Sequence, residues 1–284
     1  MIKNNIIDGK IIAESIHTNT QKMVAECIDK GVTPHLGVVF VGDDKPSATY
    51  VRKKGEAAEK LGIRFDLFTY PADITEIELM KEMKRIQAEN KLTGLIVQLP
   101  IPDHLYTPTV LNAIDPSIDV DCLTNENQGK LLMNTQEILP PTPAAVFSIL
   151  ESLSIDLVGK NVTLIGVGAL VGKPLTVMCI NARASVTTIN TATRDTKEKC
   201  LNADIIITGV GKHGILTGDM IREGAIVIDT GIDFVNGKMV GDIIFDEIVH
   251  KASAVTPTPG GVGPITVAHL LANTAQCAQK KIRS

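Results

Sequence analysis

Val162-Thr-Leu-Ile-Gly166-Val-Gly168-Ala-Leu-Val-Gly172-Lys-Pro174 decides the reading of this chain. A strand-like apolar run turns there into helix-forming sequence through closely spaced glycines. Backbone N–H groups at such a turn can cradle a phosphate, and the helix N-terminus adds positive potential. The spacing is G-x-G-x-x-x-G, not the G-x-G-x-x-G of the commonest dinucleotide fingerprint. Alone, it also suits a turn needed only for packing. Strands expected at Ser185–Asn190, Ile205–Thr208 and Ala225–Asp229 follow it, each beside helical sequence. That succession is what a dinucleotide-binding half requires, and it favours a nucleotide site. The acidic residue that reads NAD ribose would fall near Asn190, which carries no charge. Neither Asn190, Thr191 nor Ala192 offers an arginine for a 2′-phosphate, and Arg183 and Arg194 lie off the expected position.

The same alternation runs through the first half. His35–Val41 reads as a buried strand, Ser47–Leu61 as a helix ended by Gly62, and Arg64–Thr69 as a strand. Ile74–Glu89 reads as a helix and Gly94–Leu99 as a third strand. Near-continuous apolar strands between helices imply parallel sheets covered on both faces. Ile12, Ile16, Met23 and Cys27 fall at helical spacing, so the N-terminus reads as the start of a helix. Leu139-Pro-Pro-Thr-Pro143 makes an extended connector, and a last helix is expected from about Ile265 to Lys280. The expected fold is α/β: two open α/β domains with a cleft between them, the second Rossmann-like. Residues 1–140 with the closing helix 265–284 form the first domain, and residues 141–264 the second.

Bulk composition narrows the function. Of 284 residues, 44% are hydrophobic and 21% charged, an ordinary soluble balance with room for one large core or two modest ones. A net charge of -4 argues against a nucleic-acid partner. No apolar run approaches the ~18 residues of a membrane span, and the N-terminus lacks a signal-peptide core. The five cysteines, Cys27, Cys122, Cys179, Cys200 and Cys277, form no C-x-x-C, and the six histidines no H-E-x-x-H. A reducing cytoplasm and the absence of a metal site are therefore expected.

Several side chains stand out as chemistry. In Ser47-Ala-Thr-Tyr-Val-Arg-Lys-Lys54, Tyr50 and Lys54 sit one helical turn apart. They project from one face, where each would tune the other's proton affinity if that face lined a pocket. Gln98 closes the run GLIVQLP, at the carboxyl end where open sheets bind ligands. Asp119-Val-Asp121 puts two carboxylates on one side of an extended segment, suited to gripping an amidine-like heterocycle or to capping a turn. Pro259-Gly260-Gly261-Val-Gly-Pro264 is dense enough in glycine to let backbone approach a flat ligand. Thr266 would follow in the first turn of the last helix, its hydroxyl within reach of that ligand.

Taken together, these segments resemble the bifunctional methylenetetrahydrofolate dehydrogenase/cyclohydrolase family over nearly the full length. The resemblance rests on VGDDKPSATYVRKKGEAAEKLGI, GLIVQLPIP, IDVDCLTNENQGKL, PPTP, LIGVGALVGKP, GAIVIDTGI, VGDI and TPTPGGVGPIT, in that order. It implies hydride transfer from 5,10-methylenetetrahydrofolate to NADP, then hydrolysis of the methenyl product to 10-formyltetrahydrofolate. It also implies a homodimer through the second domain. Lys54 matches the family's catalytic lysine, Gln98 the glutamine that holds and tunes it, Tyr50 the folate-contacting tyrosine and Asp121 the pterin-gripping carboxylate. Pro259, Gly260 and Gly261 match the loop flanking folate and nicotinamide. Gly166, Val167, Gly168, Thr191 and Ile232 match cofactor-contacting positions, with Thr266 beside them.

The chain departs from the family at identifiable places. Ile118 and Cys122-Leu123 replace Lys and Gly-Phe around Asp119-Val-Asp121. Val167 and Ala192 stand where the family places arginines linked to the 2′-phosphate. Each charge-assisted contact is worth about 1.5–3 kcal/mol, so relaxed cofactor choice, or a shift towards NAD, is expected. Tyr-x-x-x-Lys is also the pair of short-chain dehydrogenases, but there the glycine turn precedes it. A cyclohydrolase-only enzyme and a folate- or nucleotide-binding protein without turnover are the remaining alternatives.

Overall fold

The computed structural model describes residues 2–3 and 5–283 and divides into two compact units. One comprises Ser15–Pro140 and Val267–Ser284, the other Met1–Glu14 and Pro141–Thr266. Each unit is therefore made of segments distant in sequence.

The first unit is built on three parallel strands, Arg64–Tyr70, His35–Val41 and Gly94–Val97, in that spatial order. All seven residues of the central strand are buried, as are all four of Gly94–Val97. Arg64–Tyr70 alternates between exposed and half-buried residues, the signature of a sheet edge rather than of a strand covered on both faces. The helix Lys45–Lys60 is capped by Asp44, whose carboxylate accepts the Ser47 N–H at 2.8 Å. The helix Glu76–Glu89 opens with a full capping box from Thr75 and Glu78. Leu36, Val38, Val51, Ala58, Ile96 and Leu271 pack in one apolar core, so the closing helix, Val262–Arg283, seals this unit.

The second unit is organised on a seven-stranded sheet. Its order is Ile2–Lys3, Ile6–Ile7, Ala254–Val255, Ile226–Asp229, Ile205–Thr208, Asn161–Ile165 and Ser185–Ile189. The five strands from Ala254–Val255 outward run parallel, as the alternation in the sequence requires. The N-terminus corrects the sequence reading twice. It opens with an antiparallel strand pair before the helix Gly9–Asp29 begins. Its residues also belong with the second unit, because Ile6 pairs in parallel with Val255. A strand of two residues carries no periodicity, so nothing local announces that pairing. Met1, Asn4 and Ser284 of the expected domains lie outside the described residues. A short hairpin, Asp233–Val235 with Lys238–Val240, was also not anticipated. No helix among the described residues is long and apolar enough to cross a membrane.

Backbone approaches backbone very closely at the glycine turn. A Cβ on Gly172 would stand 2.0 Å from the Gly166 carbonyl oxygen. Only hydrogen fits there, because the obstacle is main chain and cannot swing aside. Gly172→Ala is expected to destabilise the second unit by about 1–3 kcal/mol. Urea unfolding followed by a probe in that unit would show it; an unchanged midpoint would mean that the turn is free to shift.

Candidate active site

Lys54 lies on the helix Lys45–Lys60, which is pressed onto the edge strand at Gly55. A Cβ there would meet the Phe65 ring at 3.0 Å. This contact fixes the helix face next to Lys54. The Lys54 ammonium nitrogen Nζ donates to Gln98 Oε1 at 2.9 Å. Gln98 follows directly after Gly94–Val97, so it stands at the carboxyl end of a buried parallel strand. Its own Nε2 donates to the Leu99 carbonyl at 2.6 Å, which leaves the amide oxygen facing Lys54. Burial lowers the Lys54 pKa, and the Asp121 carboxylate opposes that shift. Burial likewise raises the Asp121 pKa, against the pull of Lys54 and with a further push from Asp119. The pair is thus a desolvated amine and a desolvated carboxylate, each holding the other's charge.

Tyr50 is half-buried, one turn before Lys54 as the spacing predicts. Burial raises its pKa. Asp121, distant in sequence, is the charged group whose field acts on Lys54.

The two carboxylates of Asp119-Val-Asp121 have separate tasks. Asp119 is fully buried and accepts four bonds: the N–H groups of Leu123 at 3.0 Å and Thr124 at 2.9 Å, the Thr124 hydroxyl at 2.7 Å and Asn127 Nδ2 at 2.9 Å. It folds the turn on which Asp121 sits. Leu95 N–H donates to the Ile118 carbonyl at 2.7 Å, tying that turn to the strand that leads to Gln98. Cys122 holds a left-handed φ of 56°, at the position where the family resemblance places glycine. Its thiol is buried against the Ile138 carbonyl, and burial raises its pKa.

The second unit carries the other candidates. Gly166 ends the strand Asn161–Ile165 with a φ of 99°, and the helix Gly172–Asn181 follows. Nothing lies within 4 Å of where a Cβ on Gly168 would be, so the turn is open on that side. An open glycine turn before a helix N-terminus suits a phosphate. Val167 is half-buried, Thr191 is exposed, and Ile232 is 42% exposed in the connection between the strand Ile226–Asp229 and the hairpin strand Asp233–Val235. Gly260 takes a φ of 107°, and its carbonyl accepts the Gly9 N–H at 3.0 Å. Pro259, Gly260 and Gly261 thus lie in a loop, but the helix begins at Val262, earlier than expected. Thr266 consequently falls in its second turn, not its first. The Thr266 hydroxyl bonds the Val262 carbonyl at 3.3 Å and Thr142 Oγ1 at 3.4 Å. Spacing gave no sign of Asp229 and Asp242, two buried carboxylates beneath these loops; the signal was a glycine near each, Gly231 and Gly241. Among the described residues no group of His, Cys, Asp and Glu is placed to hold a metal ion.

Comparison with known proteins follows the division of the sequence. Residues 7–121 match the tetrahydrofolate dehydrogenase/cyclohydrolase catalytic domain, and residues 140–282 the NAD(P)-binding domain of the same family. The bifunctional protein FolD of Nautilia profundicola is 44% identical over 275 residues, covering 96% of this chain and 97% of that protein. The crystal structure of the bifunctional FolD enzyme from Campylobacter jejuni superposes with a TM-score of 0.94 at 37% identity, covering 97% of this chain and 99% of that one. The Trypanosoma brucei enzyme, solved with NADP cofactor and an inhibitor, gives 0.93 at 35% identity and covers 100% of both chains. With matches on both halves and near-complete coverage, this chain belongs to the tetrahydrofolate dehydrogenase/cyclohydrolase family.

Proposed function

We infer that the chain oxidises 5,10-methylenetetrahydrofolate to the methenyl form with NADP and then hydrolyses it to 10-formyltetrahydrofolate. The observation that carries this reading is the desolvated Lys54, bonded to Gln98 and balanced by Asp121. The methenyl carbon is part of a cationic amidinium. Water that adds to it loses one proton to give a neutral carbinol; the bond to N5 then breaks as N5 gains a proton and the carbinol hydroxyl loses its own to become the formyl carbonyl, so one proton is released overall. An amine whose pKa burial lowers is unprotonated more readily than an ordinary lysine, which suits it to take the first proton and return it. Gln98 holds that amine in place through its amide oxygen, and Asp121 supplies an acceptor for a heterocyclic N–H. Tyr50, half-buried on the same helix face, offers a ring for the folate to pack on.

The glycine turn at Gly166–Gly168 and the segment at Ile232 would hold the dinucleotide, which supplies the hydride acceptor. The relative from Trypanosoma brucei, solved with NADP, supports that choice of cofactor. Hydride transfer requires geometry more than a base. Loss of Lys54 therefore separates the two activities. The five cysteines are free and buried, which accords with a reducing cytoplasm. A homodimer through the NAD(P)-binding half is the assembly that the family resemblance implies.

Lys54→Met is expected to abolish methenyl hydrolysis while part of the hydride transfer survives. Gln98→Ala should lower hydrolysis more than folate binding. Following methenyl and formyl products separately checks both, and equal loss of the two activities in a folded Lys54→Met protein would make Lys54 a substrate-positioning group. In the unaltered enzyme, hydrolysis should fall as acid protonates Lys54, at a pH below that of an ordinary lysine because burial lowers its pKa.

Val167 and Ala192 offer no charge to a 2′-phosphate. Initial rates with NADP and with NAD are accordingly expected to differ by less than about tenfold, below the roughly 10- to 150-fold that one charge-assisted contact would supply. A preference for NADP above about a hundredfold would assign that contact to another cation, with Arg194 the first to substitute.

A further inference from the structure

Asp229 and Asp242 are buried together under the loops of the second unit, at 2% and 0% exposure. Asp229 Oδ1 accepts the Thr208 hydroxyl at 2.9 Å and the Gly231 N–H at 2.9 Å; its Oδ2 accepts the Ile243 N–H at 3.3 Å. Asp242 Oδ2 accepts the Val210 N–H at 2.7 Å and its Oδ1 the Lys212 N–H at 2.8 Å. All five donors are neutral amides or a hydroxyl. Glycines make room for the carboxylates. A Cβ on Gly231 would stand 2.1 Å from Asp242 Oδ1, and one on Gly241 1.9 Å from Asp229 Oδ2.

Two carboxylates this deeply buried must have their lost hydration replaced, and the five neutral donors do so by fixing loops. Their placement suggests another role. Asp242 fixes Val210–Lys212, the loop after the strand Ile205–Thr208. The carbonyl of Gly209, one residue earlier, lies 2.6 Å from where a Cβ on Gly166 would be, so the glycine turn rests on this loop. On its other side, the Ile232 carbonyl lies 3.4 Å from the corresponding point on Gly211. One carboxylate thus braces both segments that the proposed function assigns to the dinucleotide.

We propose that Asp242, backed by Asp229, is a positioning residue for the dehydrogenase reaction: it sets the loop at 209–212 so that the Gly166 turn and Ile232 hold the dinucleotide in register. This rests on reading the second unit as the dinucleotide site. Asp242 touches neither substrate in this role. Its effect is selective, because hydrolysis of the methenyl compound needs no dinucleotide.

Asp242→Asn in the full chain keeps the shape but turns one of the two acceptors into a donor, facing either Val210 or Lys212. NADP-dependent oxidation is measured over a range of NADP, and hydrolysis of methenyltetrahydrofolate is measured without nucleotide. The expected result is a KM for NADP raised by about tenfold or more with a lower dehydrogenase kcat, and hydrolysis within about twofold of the original enzyme. Parallel loss of both activities would make the carboxylates merely structural, and unchanged NADP kinetics would remove them from the reaction; either overturns the proposal. If Asp242→Asn does not fold, Thr208→Val removes one donor to Asp229 at nearly constant volume. It should raise the NADP KM about threefold with hydrolysis unaffected, and an unchanged KM overturns the proposal equally. An original enzyme that reduces no nicotinamide would instead sink the reading of the site.

Discussion

A half-buried lysine amine is the constraint around which the first unit is arranged. Leaving water strips an amine of hydration that the protein must replace, or the amine gives up its proton. At Lys54, Gln98 replaces one water contact and the Asp121 carboxylate opposes the lowering that burial causes. Several features that look unrelated serve this balance. The close packing of Gly55 on Phe65 fixes the helix, and the four bonds to Asp119 fix the turn that presents Asp121. Loosening either would let water back to the amine and return it towards an ordinary lysine.

The second unit solves a different problem with a different device. A dinucleotide carries its own charge and needs shape more than proton affinity. The turn at Gly166 is therefore built from main chain so tightly apposed that side chains would not fit. The two units match different domains of the family, and in the proposed function they divide the chemistry: proton management on one, hydride acceptance on the other. The parallel strands set both sites, because in each unit the functional side chains and turns cluster beyond the carboxyl ends of buried strands.

Much of this was legible in the sequence, for physical reasons. His35–Val41 and Ile205–Thr208 are uninterrupted apolar runs between helical segments, and they were delimited to the residue. The alternation placed Gln98 and Gly166 at strand ends, and helical spacing placed Tyr50 and Lys54 on one face. Spacing could not bring Lys54 and Asp121 together, since that meeting depends on how strands stack; the family resemblance gave each its own role and did not pair them. The hairpin at 233–240 did carry a local signal, because Asn236 and Gly237 both take positive φ, the demand of a tight hairpin turn. The role of Asp119 was visible as a capping alternative, whereas the brace at Asp242 is made by main-chain donors that any sequence possesses.

The discontinuity of the units bears on how the chain is made. A ribosome delivers the N-terminus first, yet Ile6 finds its parallel neighbour only when Val255 has been synthesised. The core containing Leu36 and Val38 likewise waits for Leu270 and Leu271. Each unit waits for a segment far along the chain, so two apolar surfaces stay unfinished until residues beyond 250 have been made. Such long-range closure slows folding and prolongs exposure to aggregation. The time that apolar surface spends exposed during synthesis is thus set by the route of the chain, independently of the stability it finally attains.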